Sequence, residues 1–183
     1  MEIIPKSIRI KMFERQLKSE LANFAMKRTD ITLNQAHKIG ILFDATDVSN
    51  HIPISEYAAK LRRLNKTVKI MGYIQTQGSV NSQSFLIFSK KDLNWYEKPN
   101  SPAVLEFMNT PFDILINAYN DDVMPLCYLS SFSKAKFRVG PYMAKRTYIA
   151  DFMIDYKGKV PMDKLLMDIH DYFMHFNKLE ATK

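Results

Sequence analysis

Two groups of residues in this 183-residue chain have types and spacings suited to chemistry. The first is a set of carboxylates. Asp44 ends an apolar run of strand length, in Phe-Asp-Ala-Thr-Asp47, and Asp121 and Asp122 follow a second such run at 112–119. Ligands in open α/β sheets bind outside the carboxyl ends of the strands. Asp44, Asp47 and Asp121 gathered there would offer oxygen ligands to Mg²⁺, as an enzyme acting on a phosphorylated substrate requires. The competing use of the same side chains is capping, with Asp47 or Ser49 starting one helix and Asp121 another. No third fixed acid, phosphate loop or nucleophile motif completes a site.

The second group is basic and aromatic. In the segment 131–148, Lys134, Lys136, Arg138, Lys145 and Arg146 are interleaved with Phe137, Tyr142 and Tyr148. On a strand, Lys136 and Arg138 face one way and Phe137 and Val139 the other. Lysine and arginine contact phosphate, and exposed Phe137 and Tyr142 would stack on unpaired bases. The alternative is an amphipathic strand with a buried aromatic face and a solvated basic one. No RNP-type aromatic signature or GXXG loop is present, so no standard RNA module is indicated.

Other chemistries are disfavoured. With five glycines and neither G-x-G-x-x-G nor G-x-x-x-x-G-K-[ST], the usual dinucleotide and P-loop modes lack the glycine that close approach to phosphate needs. His170 and His175 are five apart on the last helical segment and do not share a face. Zinc spacing is absent. Cys127 lies in an apolar helical segment and reads as a small core residue. A lone cysteine also excludes an internal disulfide and suits a reducing compartment. No apolar stretch approaches the roughly 20 residues of a membrane span, and the N-terminus lacks the apolar run of a signal peptide. A cytoplasmic protein is the expectation.

The charge is unevenly placed. The net charge is +7. Tyr57 to Lys91 contains no acid but holds Lys60, Arg62, Arg63, Lys66, Lys69, Lys90 and Lys91; Val123 to Ala150 again holds no acid. The rest of the chain carries 14 bases against 19 acids. Separation of this kind creates a directed field that attracts polyanions.

The elements that must position these residues follow from periodicity. Residues 7–28 read as an amphipathic helix with Ile10, Phe13, Leu17, Leu21 and Phe24 on one face and Ser7 as its cap. Strands are predicted at 38–44, 67–74, 85–88, 112–119 and 136–139, the last broken by Gly140-Pro141. Helices are predicted at 54–64 (Tyr57, Leu61 and Leu64 inward), 102–109, 121–131 with acids in its first turn, and 161–179 (Leu165, Ile169, Tyr172 and Phe176 inward). Residues 75–84 read as an exposed loop. The alternating run 148–156 reads as an edge strand with one wet face, antiparallel pairing among its options. The whole is a three-layer α/β fold, a mostly parallel sheet with helices on both faces, preceded by an N-terminal amphipathic helix. The division is a basic helix at 1–30 and one α/β domain at 31–183.

The stretches 38–46 (Lys-Ile-Gly-Ile-Leu-Phe-Asp-Ala-Thr), 65–73, 112–117 and 133–142 (Ser-Lys-Ala-Lys-Phe-Arg-Val-Gly-Pro-Tyr) resemble an uncharacterised family of small bacterial α/β proteins carrying a domain of unknown function. The resemblance spans about residues 5–178. It implies a bacterial cytoplasmic origin, brings no catalytic residues, and suggests a link to lineage-specific ribosome-associated proteins.

The leading expectation is a non-catalytic RNA-binding protein attached to the ribosome or a related ribonucleoprotein, with ribosomal RNA and ribosomal proteins as partners and no cofactor or metal. Lys60, Arg62, Arg63, Lys66, Lys69, Lys134, Lys136, Arg138, Lys145 and Arg146 would meet phosphates, and Phe137 and Tyr142 would stack. The carboxylate-edge enzyme is one alternative. A protein-interaction module using the N-terminal helix is the other.

Overall fold

The run Ile39–Phe43 forces the architecture. It forms most of strand β1 (Lys38–Asp44) and is buried throughout, so both faces of the strand must be covered. In a computed structural model, which describes residues 4–76 and 85–180 with side chains given as far as His175, that cover is two layers of helix. The strands are β1, β2 (Thr67–Ile74), β3 (Leu86–Ser89), β4 (Ile114–Ala118), β5 (Phe137–Pro141) and β6 (Phe152–Ile154). They form one sheet in the order β3-β2-β1-β4-β5-β6, with every neighbouring pair parallel.

The helices divide between the faces. Helices α2 (His51–Arg63) and α5 (Met162–Glu180) cover one, burying Ile54, Tyr57, Ala58 and Leu61 from α2 and Leu165, Leu166, Ile169 and Phe173 from α5 against Ile39, Ile41, Phe43, Ile114, Ile116 and Val139. Helices α1 (Lys6–Asn23), α3 (Pro102–Asn109) and α4 (Met124–Phe132) cover the other, around Leu42, Met71, Phe112 and Leu115. This is the expected three-layer α/β fold. The N-terminal helix is part of the second layer, since Phe13 and Leu17 are each only 1% exposed beneath it.

Several boundaries differ from the periodicity, each for a physical reason. α1 starts one residue before Ser7, behind Pro5, and ends at Asn23, so Ser7 is inside the helix. Leu64 lies exposed because α2 has ended and the chain reverses through Asn65 at a φ of 58°. Asp121 and Asp122 precede α4, which starts at Met124 with no acid in its first turn. Gly140 and Pro141 stay within β5: a Cβ at Gly140 would lie 2.8 Å from that of Asn117, so glycine permits the close β4–β5 approach. The 148–156 run yields only β6, paired parallel to β5, with a 3-10 turn at Thr147–Ile149 before it. Tyr172 is half-buried and stacks on Phe152 at 3.7 Å. The expected loop at 75–84 and the inward Phe176 lie largely outside the described residues.

One carboxylate ties the amino end of the sheet together. Asp113 Oδ2 accepts the backbone N–H groups of His37 (2.8 Å) and Lys38 (2.9 Å), and its Oδ1 accepts from Lys136 Nζ at 2.8 Å. Burial alone would raise its pKa, but the Lys136 ammonium and the two N–H donors outweigh it and hold the carboxyl below 3.8. Its folded value being depressed, its contribution is complete above the unfolded value and is lost as pH falls through the folded one. Asp113→Ala should cost about 2 kcal/mol at neutral pH, because two backbone donors lose their acceptor. Urea midpoints measured from neutral pH downward should show wild type and variant converging below 3.8, the ordinary carboxylate value; a constant gap between them would rule the assignment out.

Candidate functional site

The strand order reverses between β1 and β4: from β1 the chain adds β2 and β3 on one side, then returns to add β4, β5 and β6 on the other. The helix after β1 (α2) and the helix after β4 (α4) lie on opposite faces, so the connections diverge and leave a gap at the carboxyl ends. That gap is a crevice of about 570 Å³, lined by Asp44, Asp47, Asn50, Asn120, Asp121, Lys159 and Asp163 among others. The expectation that Asp44, Asp47 and Asp121 meet at the carboxyl edge therefore holds in position.

Each polar side chain there is set by local structure. Asp44 ends β1, half-buried, and its Oδ1 accepts the N–H of Thr46 at 2.9 Å. Asp47 caps a 3-10 turn at Val48–Asn50, accepting from Ser49 N (2.9 Å) and Ser49 Oγ (2.7 Å), bonds that lower its pKa. Capping thus accounts for Asp47. It does not account for Asp121, which accepts from Lys159 Nζ at 2.8 Å across the mouth of the crevice. That bond raises the Lys159 pKa. Asn120 Nδ2 donates to the Val160 carbonyl at 2.8 Å and anchors the approach to α5. Asn50 Nδ2 donates to the Asp44 carbonyl at 3.1 Å. Asp163 sits in the first turn of α5, where the helix dipole favours a negative charge.

The crevice offers four carboxylates and two amide oxygens as acceptors, beside one ammonium as a donor. Among the described residues no group of three or more His, Cys, Asp or Glu side chains converges as a cation site, so the Mg²⁺ set of Asp44, Asp47 and Asp121 is not assembled. Sequence reasoning missed Asn120, Lys159 and Asp163. Asn120 and Asp163 carried a signal, being polar residues directly after a strand and at a helix start; Lys159 carried none.

The structure scatters the basic windows. Lys60, Arg62 and Arg63 form the last turn of α2, so with Lys66, Lys134 and Lys136 they lie at the amino end of the sheet. Tyr142, Lys145 and Arg146 follow β5 at the opposite end. Several are engaged within the fold. Arg138 is 7% exposed, forks onto Asp151 (Nη2 2.9 Å, Nε 3.1 Å) and donates to the carbonyls of Ser130 and Tyr148. Arg146, 5% exposed, pairs with Asp122 (2.7 Å) and Glu14 (2.6 Å) and donates to Tyr148 Oη. Lys66 donates to the Ala36 carbonyl (2.7 Å), Lys69 pairs with Glu106 (3.0 Å), Lys136 pairs with Asp113, and Arg62 reaches the Val68 carbonyl (3.3 Å). Phe137 is buried in the α2–α5 core, which removes it as a stacking platform. Arg138 and Arg146 are likewise withdrawn from any phosphate contact. Lys60, Arg63, Lys134, Lys145 and Tyr142 remain exposed.

The model of a family of unknown function, DUF6913, matches residues 9–175. No curated protein matches the chain. Among solved structures, a glycosyl transferase family 9 protein from Veillonella parvula DSM 2008 is similar at 14% identity with a TM-score of 0.47, over 78% of this chain and 42% of that one. The chain thus spans about two fifths of that structure's length.

Arg138 and Arg146 should behave as structural residues. Replacing either by alanine should lower stability by about 2–3 kcal/mol, the value of hydrogen bonds to charged groups, seen as a reduced urea midpoint. A variant that melted like the wild type would return these arginines to the list of ligand contacts.

Proposed function

We propose, for a chain that belongs to the family of unknown function DUF6913, that the crevice binds a small hydroxyl-bearing molecule. The observation that carries this reading is that a polar depression coincides with the reversal of strand order. Its volume of about 570 Å³ suits a small ligand. Carboxylates and amides accept hydrogen bonds from sugar-type hydroxyls, and ionised carboxylates are acceptors only. Four of them beside one lysine disfavour an anionic group placed directly among them.

A thermal-shift screen of sugars, polyols and nucleosides tests it. A true ligand at a hundredfold excess over its Kd should stabilise by about 2.7 kcal/mol and raise Tm by roughly 5–10 °C. Asp44→Asn and Asp121→Asn should abolish the shift without lowering the unliganded Tm by more than a few degrees. A screen with no stabiliser, or shifts that survive both substitutions, would defeat the reading.

A second reading keeps RNA as the partner, in a narrower form. What favours it is that Lys60, Arg63 and Lys134 are exposed at the amino end, at the ends of two helices where cations also complement the dipoles. Reversing these three to glutamate should leave the fold intact, weaken RNA binding and flatten the salt dependence by up to about three in the logarithmic slope. Unchanged affinity for RNA in the triple variant would remove this reading.

A further inference from the structure

A second depression, of about 230 Å³, opens on the α1 side of the same carboxyl edge; Lys6, Arg9, Tyr73, Lys90, Glu97 and Met124 contribute to it. We infer that it is an anion subsite, and that it takes the phosphate of the small molecule whose hydroxyls occupy the crevice. The inference rests on the reading given for the crevice.

Three cations converge there from two elements. Lys6 and Arg9 come from the first turns of α1, and Lys90 from the 3-10 turn that follows β3. Two acids face them. Asp122 is engaged by Arg146 Nε at 2.7 Å and by Cys127 Sγ at 3.6 Å. Glu97 stands 3.5 Å from Arg9 Nη1, long for a charged pair. Arg9 is thus under-used: its Nε is buried and has no hydrogen-bond partner. The Nε–H lies beneath the surface, and the remainder of the Arg9 side chain, which is 37% exposed, is what an anion in the depression would meet. The start of α4 adds to the field, because Met124 opens it with no side-chain cap and no acid in the first turn.

The two depressions are neighbours. Asp121 lines the crevice and Asp122, the next residue, lines the second depression. The β1 end at Asp44 lines the crevice and the β2 end at Tyr73 and Gln75 lines the second depression, and the two ends are strapped together by Ala45 N–H to the Tyr73 carbonyl (2.9 Å) and Gln75 N–H to Thr46 Oγ1 (3.1 Å). A molecule with hydroxyls on one side of this strap and a phosphate on the other meets acceptors first and cations second. The class is a phosphorylated sugar or polyol.

The test uses the full chain at an ionic strength held constant with chloride. Inorganic phosphate, ribose, ribose 5-phosphate and a single-stranded oligonucleotide are titrated, reading the Arg9 Nε–H resonance and binding heat. Phosphate should shift that resonance saturably, and Arg9→Gln and Lys90→Gln should each weaken binding about tenfold. Ribose 5-phosphate should bind about tenfold tighter than phosphate, an advantage lost in Asp121→Asn. No saturable response to phosphate, or a heat unchanged in both variants, would overturn the subsite. So would oligonucleotide binding through Lys90 with no response to either small phosphate. A phosphate response with no gain for ribose 5-phosphate would refute the crevice reading and leave the anion subsite standing.

Discussion

The burial of β1 on both faces is the constraint from which the rest follows. Ile39, Ile41, Leu42 and Phe43 are all at 0% exposure. Gly40 leaves room for Phe112 and Leu115, whose atoms lie 2.9–3.0 Å from where its Cβ would be. A strand so enclosed cannot be an edge and needs a helix layer above and below. Building outward from it in both directions requires one reversal of strand order, and a reversal cannot be closed by two connections that leave on opposite faces. The crevice is therefore a product of topology, present before any particular side chain fills it. The choice of Asp44, Asp121 and Asn120 at its rim is what gives it chemical character.

The same economy explains the arginines of β5 and its following loop. Val123 to Ala150 contains no acid, yet its two arginines are the most thoroughly paired cations among the described residues. Their partners come from elsewhere in the sequence: Asp151 just beyond the window, Asp122 just before it, and Glu14 on α1. Guanidinium groups under a helix layer must find acceptors, because an unpaired buried charge costs several kcal/mol. Arg146 thereby fastens α1 to the α4 entry and the segment after β5. An acid-free window in sequence is not a cation-rich surface in space when the fold brings acids in from a distance.

This sets how far the fold and site were legible in the sequence. The long apolar runs at 38–44, 67–74 and 112–119 show the sheet and its parallel character, because burial on both faces leaves a local signature. The carboxyl-edge position of Asp44 and Asp121 is legible for the same reason, since the end of a strand is a local event. Lys159 at the crevice, and Arg9 and Lys90 near α4, are not legible. They arrive from segments remote in sequence and meet only through the strand order β3-β2-β1-β4-β5-β6. The short parallel β6 was obscured differently: alternation at 148–156 reports one buried face, but Arg138 and Asp151 govern how that segment docks.

Charge finally separates along the strands, and that bears on what each end can do. The amino end collects Lys60, Arg62, Arg63, Lys134 and Lys136 against the neutralised Asp113. The carboxyl end sets carboxylates in the crevice beside cations in the neighbouring depression. A polyanion brought to the amino end would meet exposed lysines, whose phosphate contacts release counterions and read no sequence. A small molecule at the carboxyl end finds fixed acceptors held by strand ends and capped turns, which is how orientation and specificity are built. Because the two ends are separated by the length of the sheet, the diffuse field of the first does not determine what fits the second. On the reading proposed for it, the crevice is the part of the molecule where geometry, rather than net charge, would select a ligand.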